Sequence, residues 1–335
     1  MSGRAAAIAA LVFVFGATAV AAVALWPRED EREASEPSAA AEAAEPEPLL
    51  DPAQVEAYAV DPAPPDPPVR PRLKRPPESG ILFDVDTGEV LWAREPNRER
   101  PIASLTKMMT ALLIAERHEP AERVEISAKA PGVEGSRIGV LRRGSKVPLR
   151  GLFLGLIMTS GNDAAAALAE HDAGTIERFV RRMNRRAGEM GLGCTRFAGP
   201  AGLQDTGNES CAYDLAALAR ADLANRWVAS ITRRRFAKTP FPVGGGTLEL
   251  ANNHFFVQRG VAGLPAARVT GVKTGLTNGA GRCYVTTARL GDRHLGVVLL
   301  DSHDPLRQVP ILLRAGFKAL GASGEGGSVP GPDGP

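Results

Sequence analysis

The usual metal ligands and disulfide-forming residues are scarce in this sequence, which has five histidines and three cysteines among 335 residues. No two histidines show the short spacing of a helical zinc motif, so we do not expect a dedicated metal site. We also expect no cofactor. Three cysteines cannot build a disulfide framework, and none shows C-x-x-C spacing. Cys194 and Cys211 are able to pair in an oxidising compartment, but buried free thiols are at least as good an interpretation.

An excess of charge of either sign is also missing. The chain has 40 Lys and Arg against 38 Asp and Glu, and this balance gives no support for nucleic-acid binding. Its apolar content of 44% is ordinary for a globular protein. The length therefore suits one large domain with extensions at its ends.

Residues 27–77 have few large apolar side chains and are rich in Ala, Glu and Pro, so we expect a disordered tether. The Gly- and Pro-rich residues 321–335 predict a flexible tail, which leaves residues 78–320 as the folded domain. Within residues 1–26 an apolar run follows Arg4 and is about long enough to cross a hydrocarbon core of roughly 30 Å. We expect this run to anchor the chain in a membrane with the domain outside the cytoplasm; a cleaved signal peptide is the alternative.

Strand patterns lie at both ends of the predicted domain, and helical patterns lie between them. This order predicts an α+β fold in which one antiparallel sheet is built from both ends of the domain and packed by helices. The expected hairpin is 80–96, the later strands are 269–275, 282–290 and 294–300, and the expected helices include 101–116, 149–158, 163–171, 175–190, 213–224 and 306–320.

Ser104 and Lys107 are three residues apart near the predicted start of the helix 101–116. Residues at i and i+3 share a helix face, so the hydroxyl and the amine are able to touch. A serine hydroxyl becomes a good nucleophile when a base takes its proton, and a lysine whose pKa is lowered is able to act as that base. The pair predicts nucleophilic catalysis only if further groups support it, because S-x-x-K is common by chance.

Two further clusters supply candidate partners. Ser160 and Asn162 lie in a polar turn between two predicted helices, where they are able to pass a proton or hold the lysine. Lys273, Thr274 and Gly275 lie on a predicted strand. Lysine and threonine suit a substrate carboxylate, a glycine leaves room for a substrate backbone, and the N–H of Leu276 is able to join that of Ser104 in an oxyanion hole.

The order S-x-x-K, S-x-N and K-T-G is far more specific than any of its parts. The surrounding segments are A-S-L-T-K-M-M-T-A, M-T-S-G-N-D-A-A-A-A-L-A, S-C-A-Y-D-L-A-A-L-A-R and G-V-K-T-G-L-T-N-G-A-G. Over about residues 78–318 the chain resembles the low-molecular-mass D-alanyl-D-alanine carboxypeptidases, which are serine penicillin-binding proteins.

The resemblance implies a β-lactamase/transpeptidase-like fold and hydrolysis of the terminal D-alanine of peptidoglycan stem pentapeptides through an acyl-enzyme. Ser104 would be the nucleophile, Lys107 the base, and Ser160 and Asn162 the proton-transfer and positioning groups. Lys273 and Thr274 would bind the substrate carboxylate. The implied partners are peptidoglycan peptides, β-lactams and, through the N-terminal segment, a membrane; the implied location is the extracytoplasmic side of a bacterial envelope.

The chain departs from the family pattern at two places. Ala201 stands where the family often has a polar residue, and Arg307, the nearest candidate for a carboxylate-binding arginine, is about two residues too close to Leu312 and Leu313 of the last helix.

Three other functions remain open. A β-lactamase shares the three motifs but needs a deacylating glutamate, for which Glu249 with Asn253 offers only a superficial match. A D,D-endopeptidase would act on cross-links with the same chemistry. A non-catalytic cell-wall binding module is the alternative from another class.

Overall fold

A computed structural model describes residues 57–242 and 246–322. Its central sheet has five antiparallel strands in the order β2-β1-β11-β10-β9, so strands from both ends of the domain pair directly. The strands are β1 Ser79–Asp84, β2 Val90–Arg94, β9 Arg268–Thr277, β10 Gly281–Leu290 and β11 Arg293–Leu300. The predicted hairpin and the three predicted C-terminal strands are therefore confirmed.

The strands of the central sheet are apolar on both faces because a core lies on each side of the sheet, as β1 shows. Ile81 and Phe83 point into a core shared with the helices, whereas Leu82 points into a second core under the last helix. In the register with β11, Ile81 lies opposite Val298 and Leu82 opposite Val297. Successive strand residues face opposite sides, so a sheet covered on both faces needs an uninterrupted apolar run.

The helices form two groups, one on each face of the sheet. On one face lie α1 Lys107–Arg117, α2 Leu149–Met158, α3 Asn162–Ala173, α4 Ile176–Glu189, α5 Ala212–Ala224 and α6 Arg226–Thr232. The short α7 Phe255–Arg259 packs near β9 and contributes Phe256 to the core on the opposite face. The opposite face carries α8 Pro305–Ala319. α1 lies at the centre of the first group, in contact with α2, α3, α5 and α6.

Three short strand pairs were not expected from the sequence. They are β3 Arg100–Pro101 with β6 Glu209–Ser210, β4 Arg123–Glu125 with β5 Lys146–Pro148, and β7 Phe236–Pro240 with β8 Thr247–Ala251. Strands of two to five residues carry too little periodicity to be distinguished from loops.

The described part of the predicted tether lies along the domain. Val69 is buried and its N–H donates to the Leu91 carbonyl, while Tyr58 packs against the main core and Asp61 N–H donates to the Gly88 carbonyl. The folded domain therefore begins before residue 78, the start that the sequence predicted. Residues 57–77 are poor in apolar side chains, but the few they have pack against the domain.

The expected N-terminal anchor, residues 1–26, lies entirely outside the described residues. In residues 57–242 and 246–322, no helix combines the length and hydrophobicity needed to cross a bilayer. The apolar run within residues 1–26, the tether up to residue 56 and the tail from residue 323 lie outside the described residues.

Cys194 and Cys211 form a disulfide with a Cα–Cα distance of 5.6 Å, and Cys283 is a buried free thiol. The sequence left this pairing open. The bridge ties the turn after α4 to the residue that precedes α5, across 17 positions of the chain.

We expect the double substitution Cys194→Ser and Cys211→Ser to lower the free energy of unfolding by about 3 kcal/mol. Without the bridge, a loop of this size has more conformational entropy in the unfolded chain, which stabilises the unfolded state. Urea unfolding measures the change. Adding reductant to the native protein should reproduce the loss, and the double variant should not respond to it. Equal midpoints with and without reductant would contradict the prediction.

Candidate active site

Ser104 and Lys107 lie where a short 3₁₀ segment, Ala103–Thr106, leads into α1. The sequence predicted one helix from residue 101, but β9 packs closely against this segment and Ala103 adopts φ +49°, a left-handed conformation that strains alanine. In a 3₁₀ turn, residues i and i+3 eclipse each other. Lys107 Nζ accordingly lies 2.9 Å from Ser104 Oγ.

The Lys107 amine has two further partners at hydrogen-bond distance. Nζ lies 2.7 Å from Asn162 Oδ1 and 2.6 Å from the Ala201 carbonyl oxygen. A neutral amine has two N–H donors and one lone pair. Both carbonyl oxygens can only accept, so they use the two N–H groups and the lone pair is directed at the Ser104 hydroxyl. This geometry suits an amine that accepts the proton of Ser104.

Burial lowers the pKa of Lys107 well below its usual range, and the positive charge of Lys273 lowers it further. The carboxylate of Asp163 acts in the opposite direction. That carboxylate accepts the N–H groups of Ile138 at 2.9 Å and Gly139 at 3.0 Å, and its effect on Lys107 is smaller than those of burial and Lys273. The environment therefore favours the unprotonated lysine that a general base requires.

Asn162, the first residue of α3, is fixed on three sides. Its N–H donates to the Ser136 carbonyl at 2.7 Å, and its Nδ2 donates to the Glu134 carbonyl at 2.6 Å, which leaves Oδ1 for Lys107. Gly135 permits this approach, since a Cβ there would lie 2.7 Å from Asn162 Nδ2. No sequence pattern indicated that the loop 134–136 belongs to the site.

Ser160 occupies the turn between α2 and α3 and is buried. Its φ of +59° is another left-handed conformation at a polar residue of the site. Within the described part of the chain, no hydrogen bond joins Ser160 to Ser104 or Lys107. Ser160 thus belongs to the same turn as Asn162, and its proposed role in proton transfer stays a prediction.

The K-T-G segment lies on β9, beside the segment that carries Ser104. Lys273 is buried and its Nζ donates to the Thr274 carbonyl at 2.9 Å. Burial lowers the pKa of Lys273 to about 7. Thr274 is half-buried and the Leu276 side chain is exposed.

Gly275 lies against the backbone of the segment that carries Ser104. A Cβ at this position would lie 2.9 Å from the Ile102 carbonyl oxygen and 3.1 Å from the Ser104 nitrogen. The glycine therefore lets β9 approach the nucleophile's backbone. Leu276 directly follows Gly275, so this contact brings the backbone before Leu276 close to the Ser104 N–H. An oxyanion hole made of the Leu276 and Ser104 N–H groups requires this proximity.

The loop 200–205 was missed as part of the site. Besides the Ala201 carbonyl, which binds Lys107, the Pro200 carbonyl accepts the Thr110 hydroxyl at 2.7 Å. Gly202 has φ +67°, and a Cβ there would overlap the Ala103 carbonyl. Asp205 accepts hydrogen bonds from the Thr277 hydroxyl and the Gly279 N–H, which joins the loop to the end of β9. A backbone carbonyl needs no particular side chain, so the departure at Ala201 leaves this contact intact.

Two sequence candidates do not join the cluster. Arg307 lies in the first turn of α8, its side chain is 84% exposed, and it pairs with Asp304 at 3.5 Å. Glu249 is an exposed residue of β8 that pairs with Lys238 at 2.7 Å. The sequence placed Glu249 before a core strand, whereas it lies on a solvated hairpin, and this position gives no support to a β-lactamase glutamate.

A partly exposed serine with a buried lysine beside it, on the helical side of an antiparallel sheet, defines the class of serine acyl-transfer proteins that use a lysine base. The family model described as D-alanyl-D-alanine carboxypeptidase, peptidase S11, matches residues 70–304. The chain therefore belongs to this family.

Sequence and structural relatives agree with the assignment. The chain is 33% identical over 241 residues to the D-alanyl-D-alanine carboxypeptidase DacF of Bacillus subtilis, a match that covers 68% of this chain and 58% of the relative. It is 31% identical to a D-alanyl-D-alanine endopeptidase of Escherichia coli, over 67% of this chain and 71% of the relative. The match thus spans little more than half the length of DacF.

Among solved structures, a D-alanyl-D-alanine carboxypeptidase of Mycobacterium tuberculosis superimposes with a TM-score of 0.69 at 30% identity, covering 77% of this chain and 96% of that one. Penicillin-binding protein 6B of Escherichia coli gives a TM-score of 0.66 at 31% identity, over 78% and 82% of the two chains. The expected transpeptidase-like α+β fold is confirmed.

Proposed function

We propose that this protein is a serine-type D-alanyl-D-alanine carboxypeptidase that removes the terminal D-alanine of peptidoglycan stem pentapeptides and is acylated by penicillin. One observation carries the proposal. The Lys107 amine has its two N–H groups taken by the carbonyl oxygens of Asn162 and Ala201 and lies 2.9 Å from the Ser104 hydroxyl. Family membership supplies the substrate class.

In the first step, Ser104 Oγ attacks the carbonyl carbon between the two D-alanines while its proton passes to Lys107 Nζ. The N–H of Ser104 and that of Leu276 stabilise the negative charge on the carbonyl oxygen. The C–N bond then breaks, and the amine of the leaving D-alanine takes a proton that originates from Lys107, with the Ser160 hydroxyl as the relay. The product is an ester between Ser104 and the shortened peptide.

In the second step, water attacks the ester carbonyl and gives a proton to Lys107. The C–O bond to Ser104 breaks, the Ser104 oxygen takes that proton back, and the peptide leaves as a carboxylic acid that loses its proton to solvent. Penicillin follows the first step only: its amide C–N bond opens but the amine stays attached, so it cannot leave the site. A long-lived adduct is the expected result.

Lys273 and Thr274 bind the substrate carboxylate in this mechanism, with Lys273 supplying the charge. Because the pKa of Lys273 lies at about 7, its charge is present below that pH and is lost above it. The same charge helps to keep Lys107 unprotonated. A single buried lysine therefore serves both substrate binding and activation of the base. Arg307 has no part in the proposal.

We expect kcat/KM for D-alanine release to fall as the pH rises through about 7, because the free enzyme loses the Lys273 charge. A bound carboxylate favours the charged lysine, so the fall in kcat should come at higher pH than the fall in kcat/KM. Initial rates across about pH 5.5–9.5 measure both limbs.

A peptide ending in D-alanine amide is the matched substrate, since it has no carboxylate for Lys273 to bind. Its kcat/KM should be low and should lack the alkaline fall. If the amide and the free acid lose activity in parallel above about pH 7, another group titrates and the role of Lys273 is wrong.

The proposed function is tested by giving the full chain a stem pentapeptide and, separately, penicillin. The expected results are release of one D-alanine per peptide and a stable adduct of one penicillin per chain, which peptide mass spectrometry places on Ser104. Rapid hydrolysis of penicillin without an adduct would support a β-lactamase instead. If the chain shows no turnover and forms no adduct, a cell-wall binding module is the remaining interpretation.

D,D-endopeptidase action is the second candidate, because an endopeptidase of Escherichia coli is also among the relatives and matches 71% of its own length. The chemistry is the same, but the leaving amine belongs to a neighbouring stem peptide. A purified cross-linked dimer separates the two activities. Cleavage of the dimer at a higher kcat/KM than the pentapeptide would reverse the order of the two proposals.

We place the protein on the extracytoplasmic side of a bacterial envelope. The Cys194–Cys211 disulfide supports this location, since such bonds persist in oxidising compartments. The apolar run within residues 1–26 is the proposed means of attachment or export.

A further inference from the structure

Two histidines and a glutamate converge at the ends of α1 and α3 that lie away from the active site. His118 directly follows α1, Glu122 lies in the next turn, and His171 lies in the last turn of α3. His118 Nδ1 is 2.9 Å from Glu122 Oε2, and His171 Nε2 is 3.0 Å from the same oxygen. One potential ligand atom from each residue lies within 4.8 Å of the other two.

The ring of His118 is held in one orientation. Its Nε2 lies 2.9 Å from Asp172 Oδ1, and the fully buried Asp172 carboxylate also accepts from Arg117 Nε at 2.7 Å and Arg182 Nη1 at 2.5 Å. A carboxylate between two guanidinium groups is ionised and can only accept. His118 Nε2 therefore carries the proton, and in the neutral imidazole Nδ1 presents a lone pair toward Glu122.

Glu122 is oriented in the same way. Its Oε1 accepts the N–H of Glu119 at 2.7 Å, which leaves Oε2 for the two imidazoles. The cluster thus directs an imidazole lone pair, a carboxylate oxygen and a second imidazole nitrogen at one point. The lone pair of His118 Nδ1 and the carboxylate oxygen, 2.9 Å apart, repel each other unless a proton or a metal ion lies between them.

We propose that His118, Glu122 and His171 bind a divalent transition-metal ion of the zinc type. Two imidazoles and a carboxylate are a common zinc ligand set, with bonds of about 2.0–2.2 Å and therefore about 3.3 Å between ligands in a tetrahedron. The distances of 2.9 and 3.0 Å need to open by only a few tenths of an ångström. The hydrogen bond from His118 to Asp172 is the support that a metal-binding histidine typically has.

The metal would act on the fold rather than on the acyl transfer. α1 has 11 residues, so its two ends are about 16 Å apart, and Lys107 lies at the other end from His118. α3 likewise carries Asn162 at its first residue and His171 in its last turn. A metal that joins the far ends of these helices would fix two elements that meet again at Lys107 and Asn162.

The sequence hides this site because Glu122 and His171 are 49 positions apart. All three side chains are partly exposed, at 14%, 35% and 23% for His118, Glu122 and His171, so an ion is able to reach them from solvent. Neither the proposed peptidase reaction nor its residues are needed for the argument, and failure of one proposal leaves the other standing.

The test is zinc binding by the full chain, purified without a histidine tag, stripped with chelator and dialysed against micromolar zinc. We expect one zinc per chain by elemental analysis and a melting temperature that rises with zinc concentration, since an ion that binds only the folded state stabilises it. His171→Ala and Glu122→Gln should each weaken zinc binding by at least about 10-fold. His303→Ala, an exposed histidine outside the cluster, is the matched control and should keep full binding.

Metal-free variants are first compared with the metal-free native chain by circular dichroism, which checks that they fold. Because the two variants change different ligands, one remains informative if the other misfolds. Cobalt(II) added to the native chain should give the visible spectrum of a four-coordinate site, and this spectrum should be lost in Glu122→Gln. Native protein that retains no zinc, or variants that bind it as well as the control, would show that protons rather than a metal occupy the cluster.

Discussion

Replacement of Ser104 by alanine is expected to abolish both D-alanine release and covalent labelling by penicillin, with activity lower by at least about 10⁴-fold. The proposed ester forms on the Ser104 oxygen, and a second hydroxyl at hydrogen-bond distance from the Lys107 amine is not present among the described residues. The side chain is half-exposed at the surface of the site, so its loss should hardly change the free energy of unfolding. Turnover, labelling and urea unfolding of one variant measure all three.

The matched control is Ser145→Ala, since the Ser145 hydroxyl caps a surface turn by donating to the Arg142 carbonyl. It should retain native turnover and labelling. Labelling of Ser104→Ala at the native rate, by contrast, would move the nucleophile to another residue, and Ser160 would be the first to examine by mass spectrometry.

The sequence predicted the larger elements because their apolar residues repeat over many positions. α2, for example, begins and ends at the residues where the periodicity does, and the ends of β9, β10 and β11 lie within two residues of their expected positions. The same periodicity failed to resolve the start of α1. There the backbone is shaped by a tertiary contact, the approach of β9 at Gly275, and local spacing does not report on such contacts.

The candidate site was predicted in its side chains but not in its backbone. Ser104, Lys107 and Asn162 follow from motifs, and the structure brings them together. The carbonyls of Ala201 and Glu134, which complete the hydrogen bonding of Lys107 and Asn162, are available in every residue type and therefore leave no mark in a sequence.

Arg307 illustrates the opposite error. It was chosen by its spacing from Leu312 and Leu313, and it does lie in the first turn of the helix predicted at 306–320, but its side chain is exposed and pairs with Asp304, the residue that caps the helix. α8 also covers the face of the sheet opposite to the one that carries Ser104. Sequence spacing gave the element correctly but not the direction of the side chain.

Replacement of Lys107 by methionine is expected to lower the rate of acylation by about 10³-fold or more, both for peptide and for penicillin. Methionine has nearly the volume of lysine and suits the buried site, but it cannot take the Ser104 proton. It also leaves the carbonyl oxygens of Asn162 and Ala201 without their donor, which costs about 1–3 kcal/mol for each buried group and is partly offset by burying an apolar side chain. Stopped-flow labelling with a fluorescent penicillin measures the acylation rate, and Lys318→Met, an exposed lysine of α8, is the control.

The pH dependence separates a base from a residue that only positions Ser104. In the native protein, acylation by a penicillin should rise with pH as Lys107 loses its proton, with the midpoint well below the ordinary pKa of lysine because burial and Lys273 both lower it. It should fall again at higher pH, since penicillin also carries a carboxylate and Lys273 loses its charge through about pH 7. In Lys107→Met the remaining slow reaction should depend on hydroxide alone and show no plateau. If the variant keeps the native pH profile at a reduced rate, then Lys107 acts by holding Asn162 and Ser104 in place, and the base must be sought elsewhere in the cleft.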